Sequence, residues 1–386
     1  MSHVPLSVLD LAPFSAGQTP ADGLRTSIRL ARRAEELGYS RYWLAEHHLN
    51  PGISGSAPHV LLASIAAATE RIRIGTAATI IGNYSPLPVA EAAGTVAALH
   101  PGRFDLGIGR SGAVRPTGAG AVLPAREGSV VDGLVLPATR AISFDSARFA
   151  AQLRLLGRTE GDSDRFEQDV LDILAFIAGP YVADEGVTVH ATPAEGQDIQ
   201  VWIHGSTAGP SAALAGRLGL PFGANYHVAP AFVLDAVAAY RDAFRPGVIA
   251  EPHVIVSVDV FAADDEASAE RLSRGYAEWV HSIRAGQGAI AYPAPDDALA
   301  PPFAPEIAEV VKDRLDTRFT GSPERVAEQL ETLQRVTGAD ELLLTTIAYD
   351  PRDREHSYEL IADVWGLDAA SAGVDADAEV PVGAIA

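Results

Sequence analysis

Short apolar segments alternate with longer helical patterns along most of the 386 residues, and this alternation constrains the fold more than any other feature. In the first half, "LSVLDL", "RYWLAEHH", "IRIGTAATII" and "RFDLGIGR" are separated by patterns such as "LRTSIRLARRAEELG". Short Gly-flanked segments between amphipathic helices predict parallel strands joined by crossover helices. Strand candidates near residues 7, 43, 75, 105, 201, 222, 257 and 344 predict an α/β fold, a (β/α)8 TIM barrel.

A doubly wound α/β sheet is the alternative fold. It would require a Gly-rich dinucleotide-binding turn after the first strand, and "LDLAPFSAG" contains no such turn. The later segments predict one helix from about Asp264 to Arg284, and a helix after Ser322 that stops at Gly338.

Two stretches interrupt the alternation, at about 111–146 after the fourth strand and at 285–310 before the eighth. A long insertion at the carboxyl end of a barrel strand is the place for a substrate lid, and a surface excursion is the alternative. We predict a single barrel domain over residues 1–367, followed by a disordered tail at 368–386.

The chain is acidic and lacks cysteine. Its formal charge is 29 − 50 = −21, which disfavours binding to nucleic acid or to an anionic membrane. The lack of cysteine excludes disulfides, thiolate metal sites and cysteine nucleophiles. Because "MSHVPLSVLDLAPF" lacks a signal-peptide pattern and no apolar run approaches ~18 residues, we expect a cytoplasmic protein.

In a TIM barrel the active site lies at the carboxyl ends of the strands. The stretch "WLAEHHL" places Glu46, His47 and His48 where an apolar run ends, and it fits a metal site, an acid/base pair or a polar strand terminus. A metal site needs three or four converging ligands. The first strand end offers only Asp10, and the other ends carry mostly Gly, Ala, Ser and Asn, so we predict no metal site.

Neighbouring strand residues face opposite sides, so we expect only one of the two imidazoles, His47 or His48, to serve the site.

The loop "HGSTAGPSAALAG" (204–216) follows a strand candidate and opens a helix. Free N–H groups in the first turn of that helix suit a phosphate, although Ser and Thr are also ordinary N-caps. Arg110, after "LGIG", is a candidate for the cation that phosphate recognition uses.

Taken together, these segments resemble the luciferase-like flavin-dependent monooxygenases, the family of the bacterial luciferase catalytic subunit. The resemblance is carried by "RYWLAEHH", "IRIGTAATIIGNYSPLPVAE", "PGRFDLGIGRSG", "VWIHGSTAGPSAALAGRLGLPFG" and "GSPERVAEQLETL". It spans about residues 4–366. It implies a barrel that uses reduced FMN and dioxygen, through a flavin 4a-hydroperoxide, to oxygenate a small hydrophobic organic substrate.

The resemblance also implies roles for individual residues. His47 matches the imidazole that acts in acid/base chemistry at the flavin, and the Ala77-Ala78 bond matches a non-prolyl cis peptide beneath the ring. Tyr226 matches an aromatic residue near the ring. The residues that match the phosphate site are Arg110, Thr207 and Ser211, with Gly205 and Ser206 beside them.

The chain departs from the family at several of these positions. Gly109 stands where luciferase carries a reactive cysteine, so any activity here proceeds without that thiol. "IIGNYSPL" replaces a stretch that usually contains Pro, which makes Asn83 and Tyr84, together with Asp10, the candidates for substrate contact.

The resemblance further implies a two-component enzyme that receives reduced FMN from a separate flavin reductase. Family members pair through the helices after the second and third strands, and the segments 57–70 and 87–99 are apolar nearly all round, so we expect a homodimer. A deazaflavin-dependent oxidoreductase on the same fold and a non-catalytic flavin-binding subunit are the alternatives.

Overall fold

The computed structural model describes residues 3–110, 125–139, 146–158, 165–299 and 301–372. Eight parallel strands of these residues form a closed barrel, so the predicted TIM barrel is confirmed. Strands β1 to β8 are Leu6–Asp10, Arg41–Leu44, Arg73–Thr76, Phe104–Gly109, Ile199–Gly205, Phe222–Asn225, Val254–Ala262 and Glu341–Thr345. Each strand pairs with its neighbours in chain order, and β4 closes the barrel against β5 in a register that sets Gly109 opposite His204.

The helices surround this barrel. Helices α1 to α12 are Pro20–Leu37, Pro58–Ala66, Pro86–Leu99, Ser146–Leu155, Phe166–Ala178, Pro210–Leu218, Val233–Ala243, Glu266–Leu272, Gly275–Arg284, Pro305–Thr317, Pro323–Thr337 and Pro351–Trp365. Many begin with Pro, whose fixed φ and missing N–H suit the first helical position. The predicted limits of α11 are confirmed, since Ser322 accepts a hydrogen bond from the N–H of Arg325 and Gly338 ends the helix at φ +64.

Short elements decorate the ends of the barrel. Within the described ranges, 3₁₀ turns span Ile81–Asn83, Pro230–Phe232 and Ala369–Ser371. The short strand Thr79–Ile80 pairs with β4, and the short strand Phe319–Gly321 pairs with β7. One hairpin joins Ser129–Val131 with Leu134–Leu136, and another joins Tyr181–Val182 with Thr188–Val189.

The prediction of one helix over 264–284 was wrong, because α8 ends at Leu272 and α9 begins at Gly275. The break lets the chain pack closely, since a Cβ at Gly275 would lie 2.7 Å from the carbonyl oxygen of Pro293. Helix α10, at the end of the 285–310 insertion, was not predicted.

Parts of two predicted segments lie outside the described residues, namely 111–124 and 140–145 of the first insertion and 373–386 of the tail. The beginning of the predicted tail is packed against α1. Gly38, at φ +89, has room for no side chain because a Cβ there would lie 2.3 Å from the carbonyl oxygen of Asp368.

The lower part of the barrel interior is charged. Arg41 is buried and donates to Asp105 at 2.8 Å, to Gln200 at 2.7 Å and to Glu341 at 3.1 Å. Arg73 donates to the same Asp105 at 2.6 Å. These five residues, here called the barrel floor, close the amino-terminal end and leave the opposite end as the open mouth.

Candidate active site

His47 follows β2 at the mouth of the barrel. Its backbone N–H donates to the carbonyl of Gly55 at 3.0 Å, which turns the chain away from the strand direction. Its Nδ1 is buried and has no hydrogen-bond partner among the described residues. Burial, together with the neighbouring His48, lowers the pKa of His47 to about 4. The imidazole is therefore neutral at pH 7 and able to accept a proton.

Glu46 connects its neighbour His48 to the loop after β3. Its buried carboxylate accepts from His48 Nε2 at 2.8 Å, from Asn83 Nδ2 at 2.7 Å and from the N–H of Ile80 at 3.0 Å. Burial and Glu46 also raise the pKa of Tyr84. Glu46 and His48 thus form a clamp between the loops after β2 and β3, and the candidate substrate residues Asn83 and Tyr84 lie beside that clamp.

Small residues line the wall next to this clamp. The Ala77-Ala78 peptide bond is cis, as predicted. A Cβ at Gly109 would lie 2.9 Å from the Cβ of Ala78, closer than side chains normally approach. Because Gly109 pairs with Ile80 in register, β4 and the loop after β3 meet without intervening side chains.

The predicted phosphate-site residues lie on the neighbouring strands β4 and β5. Arg110 is exposed directly after β4, and the register of Gly109 with His204 sets Arg110 beside Gly205. Ser206 and Thr207 follow β5, and Ser211 lies in the first turn of α6. The first N–H groups of α6 have no intrahelical acceptor, as at every helix start, and the N-cap residue Gly209 has no side chain that could accept from them. The structure therefore brings a cation, three hydroxyls and free N–H donors to one side of the mouth.

A hydrogen-bonded chain that was not predicted links this loop to a second imidazole. Asn225 Nδ2 donates to Ser206 Oγ at 2.9 Å, so its Oδ1 accepts from Ser257 Oγ at 3.1 Å. Because Ser257 donates its hydroxyl hydrogen to Asn225, its Oγ accepts a hydrogen bond from His227 Nδ1 at 2.6 Å. This order assigns the proton to Nδ1 of His227 and leaves its Nε2 as an acceptor. The position of His227 just after β6 was the one sequence signal that pointed to it.

His227 is also neutral. Burial lowers its pKa to about 4, a shift that Asp259 opposes and that Arg314 and His47 reinforce. Deeper in the barrel, burial likewise lowers the pKa of His204 to about 4. His47, His204 and His227 are therefore neutral imidazoles at pH 7.

Two predicted site residues do not face the mouth. Asp10 is fully buried between sheet and helices, where it accepts from Arg354 at 2.7 Å and from Tyr42 at 2.5 Å. Burial raises the pKa of Asp10, but these partners lower it by more, so the pKa lies below its ordinary value. Tyr226 is also fully buried in the outer hydrophobic layer, and its hydroxyl donates to the carbonyl of Val135 at 2.7 Å. Side chains alternate along strands, and both residues fall on the helix-facing side.

No group of three or more His, Asp or Glu side chains suited to a metal ion occurs in the part of the chain that the structure describes. Nor does any helix within the described ranges have the length and hydropathy needed to cross a membrane.

A closed parallel barrel, with neutral imidazoles on one side of its mouth and a cation, hydroxyls and helix N–H groups on another, defines a TIM-barrel protein whose candidate active site lies at its strand ends. The chain belongs to the luciferase-like monooxygenase family, whose model matches residues 4–129 and 175–341.

Similar proteins cover nearly the whole chain. The uncharacterized protein YvbT of Bacillus subtilis is 35% identical, over 93% of this chain and 96% of its own. A luciferase-like monooxygenase of Escherichia coli K12 is 32% identical, over 94% and 97%. The crystal structure of apo-MsnO8 is 31% identical, with a TM-score of 0.75 and coverage of 95% and 99%. Structures that share the fold at 20% and 14% identity hold FMN and an F420-acetone adduct, respectively.

Proposed function

We propose that this protein is an FMN-dependent monooxygenase that oxygenates a small organic substrate with dioxygen. One observation carries the proposal. The same barrel mouth holds the neutral imidazole of His47 and, on another side, the hydrogen-bond donors of Arg110 and the loop after β5, and the chain belongs to this family. Reduced FMN, when bound, supplies the two electrons with which one oxygen atom enters the substrate and the other leaves as water.

The residues at the mouth fit FMN in three respects. The guanidinium of Arg110 and the hydroxyls of Ser206, Thr207 and Ser211 are the donors that a phosphate group requires. The wall of small residues at Ala78 and Gly109 admits the face of a planar ring close to the backbone. The buried Nδ1 of His47 has no partner among the described residues, so it is available for a polar atom of a ligand.

Each part of the site then has a separate task. Arg110 and the loop after β5 bind the phosphate and set the position of the cofactor. His47 accepts or returns a proton at its imidazole, which its low pKa leaves unprotonated at pH 7. Glu46 holds the loops after β2 and β3, so that His47 keeps its place when a ligand enters. Because the sequence suggests no nicotinamide site, a separate reductase supplies the reduced FMN.

The test is binding of reduced FMN followed by mixing with dioxygen. We expect photoreduced FMN to bind and, on mixing, to give a transient flavin absorbance that neither reduced nor oxidised free FMN shows. Replacing Arg110 with Ala should weaken FMN binding by about tenfold to a hundredfold, since hydrogen bonds to charged groups contribute roughly 1.5–3 kcal/mol. Riboflavin, which has no phosphate, should bind both proteins equally.

The matched control is Arg25→Ala, which removes the same charge from an exposed ion pair with Asp22. It should leave FMN binding unchanged. If the protein binds reduced F420 tightly and has no affinity for FMN, it is instead a deazaflavin-dependent oxidoreductase. If it binds FMN but the bound flavin does not react with dioxygen, it is a non-catalytic flavin-binding subunit.

We propose in addition that two copies pair through α2 and α3. These neighbouring helices expose Val60 at 72%, Leu99 at 69% and Leu87 at 39%, which are apolar side chains that the helices of a second copy would cover. We expect light scattering to give about twice the mass of one chain, and Val60→Arg to give a monomer. Val130→Arg, at a site that is 66% exposed on the hairpin of Ser129–Val131 with Leu134–Leu136, should remain a dimer, because α11 contacts that hairpin through Arg335 and the carbonyl of Asp132. A wild-type mass of one chain would overturn the proposal.

A further inference from the structure

A second cluster of charged and aromatic side chains lies at the mouth, at the carboxyl end of β7. Asp259 accepts from Arg314 Nη2 at 2.6 Å and from the hydroxyl of Tyr276. The guanidinium of Arg318 lies 4.1 Å from the ring centroid of Tyr276, and its Nη2 donates to the carbonyl of Ile347 at 3.2 Å. Two guanidinium groups thus lie near one carboxylate, to which Arg314 is hydrogen-bonded, and the described part of this cluster has an excess positive charge.

The same cluster contains hydrogen-bond donors without acceptors. The buried atoms Arg314 Nε, Arg318 Nε, Trp279 Nε1 and Thr345 Oγ1 have no hydrogen-bond partner among the described residues. Thr345 is the register neighbour of Asp259, and Trp279 stacks on Tyr276 with the ring centroids 6.1 Å apart. Buried donors are nearly always paired in folded proteins, because an unpaired one costs about 1–3 kcal/mol. An acceptor-rich ligand would relieve that cost.

The cluster belongs to the wall of the proposed reaction site. The segment between α9 and α10 is joined to the loops that follow β1 and β2, since Tyr292 bridges to Ser15 and the N–H of Gly52 donates to the carbonyl of Ala289 at 2.7 Å. Asp259 is two residues along β7 from Ser257, the partner of His227. Asp259 and Thr345 lie at the ends of β7 and β8, whereas Arg110 follows β4, so the strand order sets these donors on the side of the barrel opposite Arg110.

We propose that the substrate carries a carboxylate, which Arg314 and Arg318 bind with the indole of Trp279 and the hydroxyl of Thr345. A carboxylate offers only acceptors and one negative charge, which matches both the unpaired donors and the excess positive charge. Its apolar remainder would pack on the aromatic rings of Tyr276 and Trp279. This inference rests on the proposed function for the role of the mouth, but carboxylate binding is measured without flavin.

The test uses the four tryptophans as reporters. Trp43, Trp202 and Trp365 donate their indole N–H to Asp105, Gln200 and the carbonyl of Val4, whereas Trp279 has no acceptor among the described residues. In protein labelled with ¹⁵N at the indoles, with Trp279 assigned through Trp279→Phe, we expect hexanoate to shift the Trp279 signal in a saturable way. Hexanamide, the neutral match in size, should bind at least about tenfold more weakly.

Arg314→Gln should weaken hexanoate binding by about tenfold to a hundredfold. Arg352→Gln removes the same charge from an exposed site and should leave it unchanged. Thr345→Val removes one donor and no charge, so a loss of a few fold there supports the proposal even if Arg314→Gln does not fold. Absence of a Trp279 shift, equal binding of hexanamide, or an equal loss in Arg352→Gln would overturn it. The hexanoate titration contains no flavin, so its outcome does not depend on whether the Arg110→Ala experiment supports the proposed FMN site.

Discussion

His47→Gln is expected to slow the reaction of bound reduced FMN with dioxygen by about 10²- to 10⁴-fold, the usual contribution of a positioned acid/base group. The physical reason is that His47 offers an unprotonated imidazole at the mouth, with a pKa lowered to about 4 by burial and by His48. Glutamine retains hydrogen-bonding capacity but does not exchange protons near neutral pH. The measurement is the rate at which the transient flavin absorbance forms in stopped flow, with FMN affinity measured in parallel.

The matched control is His59→Gln. Burial also lowers the pKa of His59 to about 4 and its Nε2 has no partner among the described residues, but it lies on α2 beside Phe104, away from the mouth. This variant should react at the wild-type rate. If both variants slow the reaction equally, or if His47→Gln reacts within about twofold of the wild type, His47 has no acid/base role.

The pKa of His47 also sets the expected pH dependence. Its value in the folded protein, about 4, lies below the ordinary 6.5. Between these values the unfolded chain binds a proton that the folded chain does not, so stability falls as the pH drops from 6.5 to 4 and is unaffected by this group above 6.5. The reaction rate should accordingly show no loss near pH 6.5 from protonation of His47.

Arg41→Met is expected to lower the free energy of unfolding by about 3–5 kcal/mol, the usual result of removing one partner from a buried ion pair. Arg41 lies between Asp105 and Glu341 on the barrel floor and is 2% exposed at its side chain. Its guanidinium also lies 5.0 Å from the ring centroid of Trp202. Methionine fills much of the volume but leaves the carboxylates without that cation. Urea unfolding gives the measurement.

The loss should depend on pH. Burial alone would raise the pKa of Glu341, but Arg41, with smaller help from His253 and Ser7, lowers it to about 2. In the wild type, ionised Glu341 therefore contributes stability that is present above its ordinary pKa of 4.5 and is lost as the pH falls towards 2. Without Arg41 that contribution disappears, so the variant should lose more stability at pH 8 than at pH 4.

Arg25→Met provides the comparison, since that pair is exposed and should change stability by less than about 1 kcal/mol. An equally small change in Arg41→Met would mean that the barrel floor is dispensable for stability.

Some of this protein could be predicted from local patterns alone. The alternation of apolar and helical segments fixes the eight strands and their order, because parallel strands joined by right-handed crossovers have few alternative arrangements. The limits of α11 followed from Ser322 and Gly338, which satisfy backbone groups at the two ends of one helix. Such features depend on residues that are close in sequence.

The strand-end rule also located the loops that carry Glu46, Arg110 and Ser206, but it could not orient every side chain. Asp10 and Tyr226 lie at or next to strand ends and still face the helices, because orientation depends on the strand's exact register in the barrel. Likewise, the clamp of Glu46 on Asn83 joins residues 37 positions apart, a contact that no local pattern predicts.

The sequence by itself therefore determined the barrel, the family resemblance and the rim positions of His47 and Arg110, because these follow from periodicity and short motifs. Only the tertiary structure decided that His48 supports Glu46, that His227 faces the mouth through Ser257, and that unpaired donors gather around Asp259. Each of these depends on which side chains from distant strands meet in a low-dielectric interior, and so on closure of the barrel as a whole.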